Sequence, residues 1–120
     1  MNDILFFDTY AIIELIRGNV EYKKFGNAGM VTTVFNLAEL NYSLKKFMPK
    51  EKADWYSEKC LPFVAEVSFS DIIKAMDFKS TNRDFSIPDS IGYILAGKLG
   101  VKFLTGDSGF KDFPNVEFVK

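Results

Sequence analysis

The sequence predicts an α/β fold, a three-layer α/β/α sandwich around a central, mostly parallel sheet. Two observations carry this. Short apolar runs such as Ile4-Leu5-Phe6-Phe7 do not alternate with polar residues, as befits strands buried on both faces. Stretches with helical apolar spacing separate these runs, and Gly or Pro punctuates each one. With 120 residues, 48% hydrophobic and 26% charged, the chain suits a single domain over residues 1–120 with a core of its own.

The elements follow in order. Ile4 to Phe7 is a buried strand. Thr9 to Arg17 then places Ile12, Ile13 and Ile16 on one helical face, and Gly18 stops the helix. A short Lys-rich helix is expected from Val20 to Phe25, ending at Gly26-Asn27. Met30 to Thr33 is β-branched and follows Gly29, which predicts a second strand. From Val34 the apolar period becomes helical through Leu37, Leu40, Leu44 and Phe47, until Pro49. A further helix runs from Lys50 to Cys60, and Phe63 to Val67 is expected as a third strand. Ser70 is the expected cap of a helix through Ile72, Ile73, Met76 and Phe78. Pro88 suits a helix start, so the next helix runs from Asp89 to Leu99 and stops at Gly100. Val101 to Leu104 is a fourth strand, Gly106 to Gly109 a turn, and Val116 to Val119 the last strand.

Composition closes several routes. The chain has no His, so Ser-His-Asp catalysis, His acid–base chemistry and nearly every zinc-enzyme pattern are excluded. The single cysteine, Cys60, allows no intramolecular disulfide and is expected to be a small buried residue. Net charge is −1, so no global basic field announces nucleic acid, although a local Lys patch would serve a small nuclease. No apolar stretch approaches the roughly 20 residues a membrane span needs. The start Met1-Asn2-Asp3 is acidic rather than basic, which argues against a signal peptide. A cytoplasmic protein is expected.

Four acids interrupt segments that otherwise read as buried structure, where an unpaired carboxylate is expensive. Asp8 closes the first strand, Glu39 lies within Leu37-Ala38-Glu39-Leu40, Asp89 follows Pro88, and Asp107 follows Lys102-Phe103-Leu104-Thr105-Gly106. In a parallel sheet ligands bind beyond the carboxyl ends of the strands, where Asp8 and Asp107 both fall. Asp3 starts its strand and belongs to the opposite edge. Asp8 can also be a helix cap, Asp89 a dipole partner in a first helical turn, and Asp107 a turn residue. Glu39 is the least easily explained that way, although a solvated flank remains open. Without His or a second Cys, a cation here must be held by oxygen, which favours Mg²⁺ or Mn²⁺. Asp112 and Glu14 are expected at the surface, and Asp84 in a loop or on the rim of the site.

The ordered set of motifs resembles the PIN-domain ribonucleases, and among them the small VapC-type toxins of VapBC toxin–antitoxin pairs. The matching elements are the strand ending in Asp8-Thr9, Ala38-Glu39-Leu40 on a helix, Ile87-Pro88-Asp89-Ser90-Ile91-Gly92-Tyr93-Ile94-Leu95-Ala96, and Leu104-Thr105-Gly106-Asp107-Ser108-Gly109-Phe110 before a closing strand. The resemblance implies that Asp8, Glu39, Asp89 and Asp107 form an acidic site for one or two Mg²⁺ or Mn²⁺ ions. Thr9 and Thr105 would be hydroxyls orienting carboxylates or water, unless they are ordinary β-branched and turn residues. It implies an endoribonuclease that cleaves RNA with metal-activated water, leaving a 5′-phosphate and a 3′-hydroxyl. It also implies a homodimer and a separately encoded antitoxin. Two departures bear on the substrate grip, because Gly106 stands where relatives often carry a basic residue and Tyr93 where they carry a small one.

Lys45, Lys46, Lys50 and Lys52 are candidate RNA-binding residues, or simply a solvated face. Tyr42, Phe47, Trp55 and Tyr56 are either an antitoxin surface or core. An RNA-processing nuclease without an antitoxin and an inactive PIN-like binding module remain alternative readings. An Asp-nucleophile phosphatase needs a second acid two residues after Asp8, where this chain has Tyr10.

Overall fold

Strands with no polar alternation need cover on both faces, and the two hydrophobic clusters supply it. The computed structural model describes residues 3–120. Strands β1 (Ile4–Phe7), β2 (Gly29–Val31), β3 (Lys102–Thr105) and β4 (Val116–Phe118) form one sheet in the order β2-β1-β3-β4, and every pairing is parallel. Helices α1 (Thr9–Arg17), α2 (Val34–Leu44), α3 (Lys50–Cys60), α4 (Phe69–Thr81) and α5 (Ile87–Leu99) flank it. Leu5, Phe7 and Leu104 pack with Ile12, Leu37, Leu40, Leu44 and Cys60 on one face. Phe6 and Phe103 pack with Leu95, Ala96, Phe85 and Phe110 on the other. The period of two along β1 thus sends neighbouring apolar residues into opposite cores. The result is the α/β/α sandwich of the PIN-like fold.

Close approach on the second face depends on Gly92. A Cβ there would stand 2.7 Å from the Phe6 ring and 3.1 Å from Phe103, so only glycine lets α5 settle this near the sheet. Both α1 and α5 end at glycines in the left-handed conformation, Gly18 at φ 78° and Gly100 at φ 71°, as the sequence predicts.

Several expectations change at the element ends. The expected strand Phe63–Val67 does not form. Leu61–Phe63 is a 3₁₀ turn containing Pro62, and Val64 makes an isolated parallel bridge to Thr32. Two backbone bonds hold it, Thr32 N–H to the Phe63 carbonyl at 3.0 Å and Ala65 N–H to the Thr32 carbonyl at 2.8 Å. The cap of α4 is Ser68 rather than Ser70, because Asp71 three residues later completes a capping box. By the same device Ser86 caps α5, so that helix begins at Ile87. The segment after α1 is 3₁₀, Val20–Asn27. Helix α2 ends at Leu44, short of Phe47.

Cys60 is buried and unpaired. Glu14, expected at the surface, is only 18% exposed and accepts a hydrogen bond from Asn19 at 2.8 Å. Asp3 and Asp112 are exposed. Among the described residues no helix is long and apolar enough to cross a membrane.

Candidate active site

The strand order dictates where a site can form. The chain leaves β1 toward β2 on one side, then returns across the sheet to place β3 on the other side of β1. The carboxyl ends of β1 and β3 therefore flank the point where the winding reverses, which is where open α/β sheets form a crevice. Asp8 follows β1 and Asp107 lies two residues beyond β3.

A cleft of about 420 Å³ opens there, lined by Asp8, Glu39, Asp89 and Asp107 together with Tyr10, Asp84, Ser86 and Lys120. Asp8, Glu39, Asp89 and Asp107 thus line one cleft although they lie on four separate elements.

Each aspartate is held by its own local structure. Asp8 caps α1, its Oδ1 accepting from Ala11 N–H at 2.8 Å. Its Oδ2 accepts a short hydrogen bond from the Thr105 hydroxyl, and the same hydroxyl accepts from Asp107 N–H at 3.0 Å. Thr105 therefore ties the ends of β1 and β3 together through side-chain chemistry. Asp107 Oδ1 accepts from Gly109 N–H at 2.9 Å, and Asp89 Oδ2 accepts from Ser86 N–H at 3.2 Å. Cap and cleft roles coexist because each carboxylate oxygen has two acceptor positions.

Behind Asp8 lies a buried polar network that sequence reading missed. Asn36 Nδ2 donates to Thr9 Oγ1 at 3.3 Å, Thr33 Oγ1 donates to Asn36 Oδ1 at 2.6 Å, and Thr32 Oγ1 donates to the Phe7 carbonyl at 3.0 Å. Thr9 thus bonds Asn36 rather than a carboxylate. The network pins the start of α2, which carries Glu39, to the end of β1. The only local signal was Thr33 three residues before Asn36, which is an ordinary cap spacing.

Electrostatics set the site apart. Asp8 is 1% exposed, and burial, followed by the charges of Asp89 and Asp107, outweighs its two hydrogen bonds and pushes its pKa up to about 8. Asp89 is pushed up to about 6, first by burial and then by the charges of Glu39 and Asp107. Among the described residues no ion pair involves any of the four acids. Among the described residues Lys120 is the one basic residue lining the cleft, next to Val119, whose N–H donates to the Thr105 carbonyl at 2.9 Å.

The cleft offers donors of the chemical kind that a divalent cation takes. Asp8 and Asp89, pushed up by burial and by neighbouring carboxylates, lack a compensating positive charge, and oxygen donors are what Mg²⁺ and Mn²⁺ prefer. Among the described residues no three acidic side chains form a ready-made metal cage. The open cleft suits an ion that keeps much of its water, as Mg²⁺ does.

The four lysines stand elsewhere. Lys45 and Lys50 pair with Asp54 at 3.0 and 2.7 Å, Lys46 lies over the Tyr42 ring, Lys52 is exposed, and none of them lines the acidic cleft. Tyr42, Phe47 and Trp55 are exposed, while Tyr56 packs against the first core cluster. At Gly106 a Cβ would overlap the Tyr10 ring, so that ring fills the space a side chain would take. Tyr93 donates to the Pro114 carbonyl at 2.7 Å and packs on Phe103, which leaves it structural work outside the cleft.

The fold and the acid-lined crevice define a PIN-like α/β domain, and solved structures share the fold. A chain of a toxin–antitoxin complex from Klebsiella pneumoniae superposes with a TM-score of 0.73 at 18% identity, over 94% of this chain and 95% of that one. A chain of VapBC2 from Rickettsia felis, bound to a DNA fragment from its promoter, gives 0.69 at 17% identity over 97% of each chain. A chain of VapBC-1 from nontypeable Haemophilus influenzae gives 0.67 at 15% identity, over 98% and 97%. No family model and no curated protein sequence matches the chain.

Proposed function

We propose that the protein is a Mg²⁺- or Mn²⁺-dependent endoribonuclease and the toxin of a toxin–antitoxin pair. The observation that carries the reading is a buried Asp8 at the switch point that lines one cleft with Glu39, Asp89 and Asp107, Asp8 and Asp89 being pushed up in pKa and, among the described residues, none of the four paired with a cation. The toxin assignment draws its support from the toxin–antitoxin structures that share the fold. With it come a cognate antitoxin, a homodimer and a cytoplasmic setting.

In this mechanism Asp8, Glu39, Asp89 and Asp107 hold one or two divalent ions. When bound, such an ion lowers the pKa of water and stabilises charge on phosphoryl oxygens. The residues of the chain do the positioning. Thr105 and the Ala11 N–H fix the Asp8 carboxylate, and Ser86 fixes Asp89. Lys120, beside the acids, meets the phosphate backbone of single-stranded RNA.

The test is cleavage of single-stranded RNA by purified protein with Mg²⁺ or Mn²⁺. Activity is expected with metal and none in EDTA, and equal cleavage in chelator would sink the mechanism. Growth arrest on expression, relieved by a neighbouring reading frame, is expected of a toxin. A nuclease without such a partner would be harmless or unaffected by it.

A further inference from the structure

A second cleft of about 340 Å³ adjoins the acidic one, and Asp84 lines both. Its remaining walls are Thr81, Asn82, Arg83, Phe85, Gly109 and Phe113. The turn Ser108–Phe110 divides the two spaces. Gly109 lines the second cleft, while its N–H donates to Asp107 in the first.

The two walls differ in chemistry. On one side Phe113 and Phe85 belong to an aromatic cluster in which the Phe85 ring is clamped between Phe78 and Phe110. A Cβ at Gly109 would stand 2.8 Å from Phe85, so the glycine lets the turn lie directly against this buried ring, and Phe113 is the partly exposed face of the aromatic wall. On the other side a polar loop is held rigidly. Lys79 Nζ donates to the carbonyls of Arg83 at 3.0 Å and Phe85 at 2.7 Å, and Asn82 Nδ2 donates to the Phe78 carbonyl at 2.9 Å. These bonds use backbone acceptors and leave the Asn82 Oδ1 and the guanidinium of Arg83 available. Among the described residues no carboxylate pairs with Arg83. An aromatic wall, a fixed hydrogen-bonding loop and a cation, all beside an acid site, match what an unpaired base and its phosphate require.

We propose that this second cleft seats the nucleobase of the nucleotide flanking the scissile phosphate, against Phe113, with Asn82 at the base edge and Arg83 on the adjoining phosphate. The proposal rests on the endoribonuclease reading. It makes the chain a nuclease that holds one flanking base outside the stack.

The experiment maps the cleavage site in a single-stranded RNA and then replaces each flanking nucleotide by an abasic one. With the wild-type chain, one abasic position is expected to lower kcat/KM by about tenfold or more. Arg83→Ala, at an exposed position, and Phe113→Ala are expected to lower cleavage of the intact RNA. Phe113→Ala should be insensitive to that same abasic replacement, whereas Arg83→Ala, which loses only the phosphate contact, should keep it. Wild-type cleavage that ignores every abasic position, or an abasic loss undiminished in Phe113→Ala, overturns the base seat while leaving the nuclease standing. No cleavage of any RNA by the wild-type chain overturns both.

Discussion

Helices α4 and α5 start alike. In each a serine accepts from the backbone N–H of an aspartate three residues on, and that aspartate accepts from the serine N–H: Ser68 with Asp71, and Ser86 with Asp89. Both aspartates lie in the first turn, where the helix dipole favours negative charge. Their electrostatics nevertheless run in opposite directions. Asp71 is held below the usual carboxylate range, by its bond from Ser68 and then by Lys98 at 3.0 Å. Asp89 is pushed up to about 6, by burial and by Glu39 and Asp107. A cap is therefore compatible with either fate, and burial beside like charges, with no ion pair among the described residues, is what distinguishes Asp89. Asp54, between Lys50 and Lys45, falls on the same side as Asp71.

The largest effect expected from this contrast is on catalysis. Asp8→Asn and Asp89→Asn should each lower RNA cleavage by about 10²–10³-fold, the scale on which removing one stabilising group acts. Asn caps well in place of Asp8, and at position 89 its amide oxygen still accepts from the Ser86 N–H, so both variants should fold. Asp71→Asn should leave cleavage unchanged. Equal losses in Asp71→Asn and Asp89→Asn would erase the distinction between the two helices.

Stability against pH gives the next effect. An unfolded aspartate titrates near 3.9, roughly, whereas folded Asp8 titrates at about 8. Between these values the folded chain keeps a proton that the unfolded chain has released, so metal-free stability falls as pH rises through that window. Asp89 adds to the fall up to about 6. The slope contributed by one proton is at most about 1.4 kcal/mol per pH unit. Urea unfolding in EDTA at pH 5 and pH 8 should show the loss, and Asp8→Asn should remove most of it. Stability that rises across this range would contradict the buried, unpaired carboxylate.

Thr105→Val should cost about 10–100-fold in cleavage, because the hydroxyl orienting Asp8 is lost while the shape is kept. The smallest effects belong to the caps. Ser68→Ala and Ser86→Ala should each cost about 1 kcal/mol in unfolding free energy. Only Ser86→Ala should also slow cleavage, through the orientation of Asp89.

Much of this fold was readable because it obeys local rules. Strand β1 is an unbroken apolar run and β3 centres on the buried pair Phe103-Leu104, while Gly18 and Gly100 mark helix ends that no other residue suits as well. Phe63–Val67 misled because its composition is strand-like, whereas Pro62 and the nearby cap at Ser68 leave room for only one bridge. Ser68 rather than Ser70 caps α4 because Asp71 stands at capping-box distance from Ser68, a spacing present in the sequence itself. The four acids could be picked out one by one, but their company could not. The bond from Thr105 to Asp8 spans 97 residues, and that from Asn36 to Thr9 spans 27. Neither leaves a periodic trace. Lys120 and the ring of Tyr10 enter the cleft for the same non-local reason, through the pairing of β4 on β3 and the close approach at Gly106.

The most direct test of the central claim is Mn²⁺ binding, followed by electron paramagnetic resonance or calorimetry, in three forms of the chain. The wild type and Asp71→Asn should bind Mn²⁺ saturably and alike, while Asp89→Asn should lose that binding. Undiminished binding in Asp89→Asn, or none in the wild type, would contradict a metal site built from these acids.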